Sequence, residues 1–295
     1  MDEIISGALA IIILVSGTYA VLFALYFNIK NHERTARLPV DRTKLIRVAG
    51  YGLNKQINEK AVDILGITFG ATVCILMPFA FNGLNQFIKN HEVPYLFIII
   101  IIPCIAYSMK KSWKTATELR KLKLGYDAEI ACASELIYLQ SSGYQVFHDV
   151  QADGFNIDHL VVGKNGVFAI ETKGRHKRIK DKENGNKDYL LEFENNALKF
   201  PSWVEKKPIE QASNQAKWVQ KWLTQAVGSE VKVLPVLVFP GWYVALKSKP
   251  PFAIINHKQI AKTIPSINGM SLDQTQINAI CYQVVQRSMN GDNKA

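Results

Sequence analysis

Long apolar runs fill the front of the chain, and shorter alternating or helical-period runs follow. The first, Ile4 to Phe27, contains no charge. At about 1.5 Å per residue it is long enough to cross a hydrocarbon core of roughly 30 Å. A second runs from about Ala61 to Leu84 with Asp63 near one end, and a third from about Val93 to Met109 with Ile98 to Ile102 in one block. Pro103 should kink the third. The pattern predicts a membrane region over residues 1–110, with helices at about 4–27, 61–84 and 93–109. For the last two, a buried helical hairpin is the alternative; their short connection and near absence of charge favour the membrane. The acidic start Met1-Asp2-Glu3 and the length of the first run argue against a cleaved signal.

From residue 111 the pattern becomes that of an α/β domain. Gly125 to Glu129 opens a helical pattern that continues through Leu136 and Leu139, and Gly143 to Val150 reads as a strand. Two β-rich runs then flank Asn165-Gly166, a strong hairpin signal. Pro208 sits near the start of a helix that carries Gln211, Gln215 and an apolar stripe of Trp218, Val219 and Trp222. Val231 to Phe239 reads as a core strand, with Pro235 its awkward residue. A short strand near Phe252–Ile255 and helical patterns at His257–Ile264 and Asp273–Ser288 complete the chain. The expected division is 1–110 membrane region, 111–250 catalytic-type domain, and 251–295 C-terminal strand and helices.

The hairpin carries charge where an apolar sheet should have none. With Asn165 and Gly166 central in the turn, Lys164 pairs with Val167, Val162 with Ala169, Leu160 with Glu171 and Asp158 with Lys173. Paired residues share a face, so Asp158, Glu171 and Lys173 should project together from one end. Ile157, His159, Val161, Phe168 and Ile170 should take the other face. Such charges are costly unless paired, hydrated or bound to metal. A hard cation between two carboxylates accounts for them, and a solvated ion pair at the sheet rim is the plainer alternative.

The order Asp158, one hairpin, then Glu171-Thr172-Lys173 resembles the Asp…Glu-x-Lys signature, PD-(D/E)xK, of the restriction-endonuclease-like nucleases. With the helix Glu129, the run Asn156-Ile157-Asp158-His159 and Gly166 to Lys173 in order, the chain from about 120 to 240 is similar to the nuclease-related domain (NERD) branch of that superfamily. The resemblance implies an α/β fold with a restriction-endonuclease-like mixed sheet flanked by helices, here preceded by three transmembrane helices. It implies that Asp158 and Glu171 hold Mg²⁺ or Mn²⁺, that the Thr172 carbonyl adds a ligand, and that Glu129 completes the acidic cluster directly or through a metal-bound water. Lys173 would orient or help deprotonate the attacking water. Related nucleases aim a helix glutamine into the site, which makes Gln211 the first candidate and Gln215 the second. For Glu129, a first-turn glutamate complementing a helix dipole is the alternative.

Charge refines this picture. The chain has net charge +10, and residues 110–295 hold 26 Lys+Arg against 18 Asp+Glu. This favours a polyanion without choosing nucleic acid over anionic lipid. The run Gly174 to Lys182 follows the site directly, so Arg175, Lys177, Arg178 and Lys180 are candidates to track a phosphate backbone. Basic residues crowd the stretch after the first apolar run (Lys30, Arg34, Arg37, Arg42, Lys44, Arg47, Lys55, Lys60) and the stretch after the third, whereas Lys89 stands alone between the second and third. By the positive-inside rule the N-terminus lies outside and the C-terminal part in the cytoplasm, at the inner (cytoplasmic) membrane.

Cys74, Cys104, Cys132 and Cys281 form no CxxC pair, so free thiols are expected and a zinc ribbon is excluded. His159 reads as a core histidine, and His148 and His176 lack ligand spacing. No Ser/His/Asp set, Walker-type loop or dinucleotide glycine pattern is present. The reading is a membrane-anchored, Mg-dependent nuclease acting on nucleic acid, DNA above all, with the lipid bilayer as a second partner. The alternative is a non-catalytic membrane-tethered nucleic-acid or protein binding module. Self-association stays open, although many nucleases of that superfamily pair two sites.

Overall fold

The computed structural model describes residues 16, 20–32, 34–36, 39–41, 44–78 and 95–290. Two units separate: Met1–Asp41 with Ile57–Arg120, and Arg42–Gln56 with Lys121–Ala295.

In the first unit, residues 20–32 are helical, α1 spans Tyr51–Pro78 and begins in the second unit, and α2 spans Tyr95–Ser141 and ends there. Among the described residues, no helix is long and apolar enough to cross a membrane, so the three expected spanning helices are not supported. Lys55, Glu59, Lys60 and Asp63 interrupt the apolar character of α1, and Lys110, Lys111 and Lys114 that of α2. The expected span 4–27 lies outside the described residues except for 16 and 20–27; residues 79–84 of the second and 93–94 of the third also lie outside them. Lys60 bridges Glu118 at 3.0 Å and Asp63 at 3.9 Å. Large apolar side chains face outward on both helices, among them Leu65 (69% exposed), Ile99 (70%) and Ile100 (62%).

In the second unit a five-stranded mixed sheet has the order β1-β2-β3-β7-β9. Its strands are β1 (Gln145–Gln151), β2 (Asn156–Gly163), β3 (Gly166–Thr172), β7 (Val233–Val238) and β9 (Ala253–Ile255). Every residue of β3, the middle strand, is buried, as expected for a nearly continuous apolar run covered on both sides. One layer packs Phe147, Leu160, Val162 and Ala169 against α4 (Lys207–Val227) and α6 (Gln274–Asn290). The other packs Val161, Phe168 and Ile170 against Leu136 and Leu139 of α2 and Ile260 and Ile264 of α5 (Ile260–Ser266). Pro208 lies in the first turn of α4, and Gly228 at φ +74° closes its end. Pro235 precedes the part of β7 that pairs with β9, Val236 to Val238, so its missing N–H falls where the strand has one hydrogen-bonded neighbour.

The sequence does not announce a second sheet, β6-β5-β4-β8. It is formed by β4 (Leu190–Glu194), β5 (Ala197–Phe200), β6 (Trp203–Glu205) and β8 (Tyr243–Leu246). Asn195 and Asn196 turn β4 into β5 at φ +50° and +56°, the left-handed pair that a two-residue hairpin requires.

Three local expectations are corrected. The β2–β3 register pairs Gly163 with Gly166 and Val162 with Val167, two residues from the expected pairing. Lys164 and Asn165 occupy the turn because the Asn165 side chain is committed elsewhere, accepting from Tyr144 and donating to the Ile264 and Ile267 carbonyls. A shift of two preserves side-chain alternation. Second, Ile157 packs with Leu160 and Val162, not on the face of Val161. Asp149, at φ +49°, breaks the β1–β2 ladder where it would face Asp158 and resets the alternation on both strands. Third, Glu129 lies deep within α2, so a helix-dipole role does not apply to it.

Candidate active site

The acidic cluster forms at the end of the β2–β3 hairpin. Continuing the observed register by one step sets Asp158 opposite Glu171. An Asp158 Oδ2 accepts the Thr172 backbone N–H at 2.7 Å, which fixes one carboxylate against the end of the other's strand. Glu171 is 2% exposed. Its Oε1 accepts from the Gln211 side-chain amide at 2.8 Å and pairs with the Lys173 ammonium. Its Oε2 is buried and has no hydrogen-bond partner among the described residues. Gln211 is therefore the helix glutamine that reaches the site. Gln215, one turn on, is buried and donates to the Asn156 carbonyl at 3.4 Å.

Electrostatics at the cluster are unfavourable as it stands. Burial, together with repulsion from Glu171 and Glu129, raises the Asp158 carboxyl well above the ordinary range. Burial first, and then Asp149, push Glu129 up to about 7, while a backbone hydrogen bond from Gly50 opposes the rise. Repelling carboxylates with one orphaned oxygen fit a hard divalent cation, which would supply the missing counter-charge and take oxygen ligands. The donor set is narrower than expected, however. Among the described residues, no three or more His, Cys, Asp or Glu side chains are grouped to hold a metal ion. Glu129 is directed to Gly50 instead, which leaves Asp158 and Glu171 as the carboxylate pair.

A cavity of about 1340 Å³ opens over these groups, and Glu129, Asp158, Glu171, Lys173, Gln211 and Gln215 all line it. Members of the basic run also have neighbours within the fold. Arg175 lines the cavity but makes a two-pronged bridge to Glu205 of β6, at 2.9 and 2.7 Å. Arg178 lies 4.4 Å from the Trp203 ring and donates to Ser202, and Lys177 lies 5.8 Å from the Trp242 ring. Ile179–Glu183 form a short helix, α3, whose Lys180 is exposed. The second sheet thus engages two of the four cations, Arg175 and Arg178, and Lys177 lies near Trp242 just before β8.

Sequence reasoning missed Asp149, Arg47 and Arg287. Asp149 and Arg287 line the cavity, and Arg47 bonds Asp149. A charged residue inside the strand pattern His148-Asp149-Val150 was the available signal for the first. Arg287 is held by the Gln151 carbonyl and Asp153 and lies against Trp218 and Trp222. His159 is a core histidine, as expected: fully buried, its Nδ1 is 2.8 Å from the His148 Nδ1.

Residues 124–240 match the family model of the nuclease-related domain, NERD. That stretch contains Glu129, Asp158, Glu171, Thr172, Lys173 and Gln211, but not Arg47 or Arg287. Similarity to this family points to a nuclease-like, hydrolytic function and to nucleic acid as the general class of ligand. No curated protein and no solved structure matches the chain.

Proposed function

We propose that this chain is a metal-dependent nuclease that hydrolyses phosphodiester bonds of nucleic acid, DNA above all, with its C-terminal unit. The observation that carries the reading is the Glu171 carboxylate, with one oxygen held by Lys173 and Gln211 and the other buried without a partner among the described residues. Asp158 and Glu171 would hold Mg²⁺ or Mn²⁺, with the Thr172 carbonyl beside them. When bound, such an ion polarises a phosphoryl oxygen and lowers the pKa of a bound water.

The chain's own residues supply the rest. Lys173 orients the attacking water and offsets phosphate charge. Gln211 fixes the rotamer of Glu171, and the Thr172 N–H fixes that of Asp158. Glu129 completes the acidic wall and can hold a proton near neutrality. Uncatalysed phosphodiester hydrolysis is very slow, so preorganised charge is most of what a protein must provide.

We further propose that residues 1–110 attach the enzyme to the inner membrane, with the N-terminus outside and residues 111–250, completed by 251–295, in the cytoplasm. Support comes from the uncharged first apolar run, the distribution of basic residues and the outward-facing apolar side chains of α1 and α2.

The test uses detergent-purified protein with single- and double-stranded DNA and RNA, plus Mg²⁺ or Mn²⁺, beside Asp158→Ala and Lys173→Ala. Metal-dependent cleavage abolished by both substitutions is expected. Binding of nucleic acid without cleavage by the wild type would replace the enzyme with a tethered binding module.

A further inference from the structure

We infer that residues 44–56, which lie outside the family match, are a working part of the acidic site and position Glu129 through a clasp between Arg47 and Asp149. The inference rests on the nuclease reading. Arg47 Nη1 lies 3.1 Å from Asp149 Oδ2, with the two side chains 7% and 6% exposed. A buried ion pair is costly unless further hydrogen bonds satisfy it. Here the Gly52 N–H donates to the same oxygen at 3.1 Å, and the Asn156 side-chain amide donates to the other at 2.8 Å. Both oxygens of Asp149 thus have protein donors, which assigns it to the clasp.

The clasp delivers the segment to the site. The Gly50 backbone bonds the Glu129 carboxylate, and Gly52, Leu53 and Gln56 enter the cavity wall. Two glycines permit this approach. Gly50 has φ +70°, and a Cβ on it would meet Tyr126 Cδ2 at 2.6 Å. A Cβ on Gly52 would meet the Asn156 Nδ2 at 2.9 Å. The backbone therefore lies directly against α2 one turn before Glu129, and against the residue whose carbonyl receives Gln215. A mere connector needs neither the buried pair nor the two close approaches.

The closing experiment is a double-mutant cycle on the full-length, detergent-purified protein. One arm is Glu129→Gln. The other is Arg47→Met with Asp149→Asn, which removes both charges so that neither is left buried alone. Mn²⁺ affinity, read by electron paramagnetic resonance of the free ion, is measured beside kcat and KM. Glu129→Gln should weaken Mn²⁺ binding about 10-fold in the wild-type background and by less than about 2-fold once the clasp is gone. Loss of the clasp should lower kcat on the order of 10²-fold with KM little changed, and Arg47→Lys should recover much of it. Circular dichroism establishes that each variant folds; should the paired variant not fold, Gly50→Ala, whose added Cβ would push the segment off Tyr126, carries the cycle in its place. Additive effects of the two arms on Mn²⁺ affinity would overturn the inference while leaving the nuclease reading intact. A wild type that neither binds Mn²⁺ nor cleaves would overturn both.

Discussion

Two neighbouring residues on β2, Asp158 and His159, end in opposite chemical settings. His159 is fully buried beside His148, one Nδ1 donating to the other, and burial holds both rings below their ordinary titration range. That pair removes its own charge by staying neutral. Asp158 stands among Glu171, Glu129 and Lys173, where burial and repulsion raise its carboxyl and one oxygen of Glu171 has no partner among the described residues. One position is a neutral imidazole pair; the other gathers repelling carboxylates. Each setting keeps one buried atom without a partner among the described residues, His159 Nε2 and Glu171 Oε2, so what separates a packing site from a chemical one along this strand is charge: an imidazole pair can stay neutral, whereas crowded carboxylates call for a counter-charge.

The largest expected effect breaks the contrast at its acidic end. Asp158→Ala or Lys173→Ala should lower cleavage on the order of 10³-fold or more; the metal-free melting temperature should hold or rise in Asp158→Ala, where a repelling carboxylate is removed, and fall in Lys173→Ala, where buried Glu171 loses its counter-charge. A nuclease assay beside a thermal melt checks this. Parallel loss of activity and stability in Asp158→Ala would make the acidic end structural, like its neighbour.

Next in size is ligand linkage. An ion that binds only the folded site at 100 times its dissociation constant stabilises by about 2.7 kcal/mol. Mg²⁺ or Mn²⁺ should therefore raise the melting temperature of the wild type by several degrees, with chelator reversing the shift. Glu171→Gln should abolish it, and His159→Leu should retain it. Differential scanning fluorimetry is sufficient to read all three.

Much of the first sheet and the acidic pair was legible because both depend on local order. Alternation fixes faces, so Asp158, Glu171 and Lys173 were brought together even though the turn fell two residues from Asn165-Gly166. The register itself was not legible, because it depends on Asn165 bonding to Tyr144 and to the end of α5, far along the chain. The second sheet was hidden by its short strands and by a Leu190–Glu205 stretch too rich in charge to read as core. It decided the fate of Arg175, whose partner Glu205 lies 30 residues away. The Arg47–Asp149 clasp spans 102 residues, beyond any pattern that neighbours in sequence can carry.

The two sites should also respond to pH with opposite signs. His159 and His148 titrate below their unfolded value near 6.5. Their contribution is present above that pH and is lost as the pH falls, because the unfolded chain then takes up protons the folded one refuses. Each such proton costs about 1.4 kcal/mol per pH unit. Glu129, raised from 4.5 to about 7, contributes most below pH 4.5 and loses that contribution as the pH rises towards 7. Metal-free melts should therefore flatten on the acid side in His159→Leu and on the approach to neutrality in Glu129→Gln. A shared profile for both variants would mean that neither environment is as different as the geometry says.

The smallest effect sharpens the acidic end most finely. Among the described residues, Gln211 reaches the cluster by one hydrogen bond, its side-chain amide donating to Glu171 Oε1, and Lys173 holds the same oxygen. Removing the amide leaves the carboxylate still paired with Lys173. A neutral donor to a charged acceptor contributes about 1.5–3 kcal/mol at most, and with Lys173 in place the loss should fall at the lower end. Gln211→Ala should therefore reduce kcat about 10-fold, whereas Gln211→Glu should reduce it further by adding a carboxylate to a site already short of positive charge. A Gln211→Glu variant as active as Gln211→Ala would mean that excess negative charge is not what the acidic end is built around, and the contrast with His159 would lose its electrostatic basis.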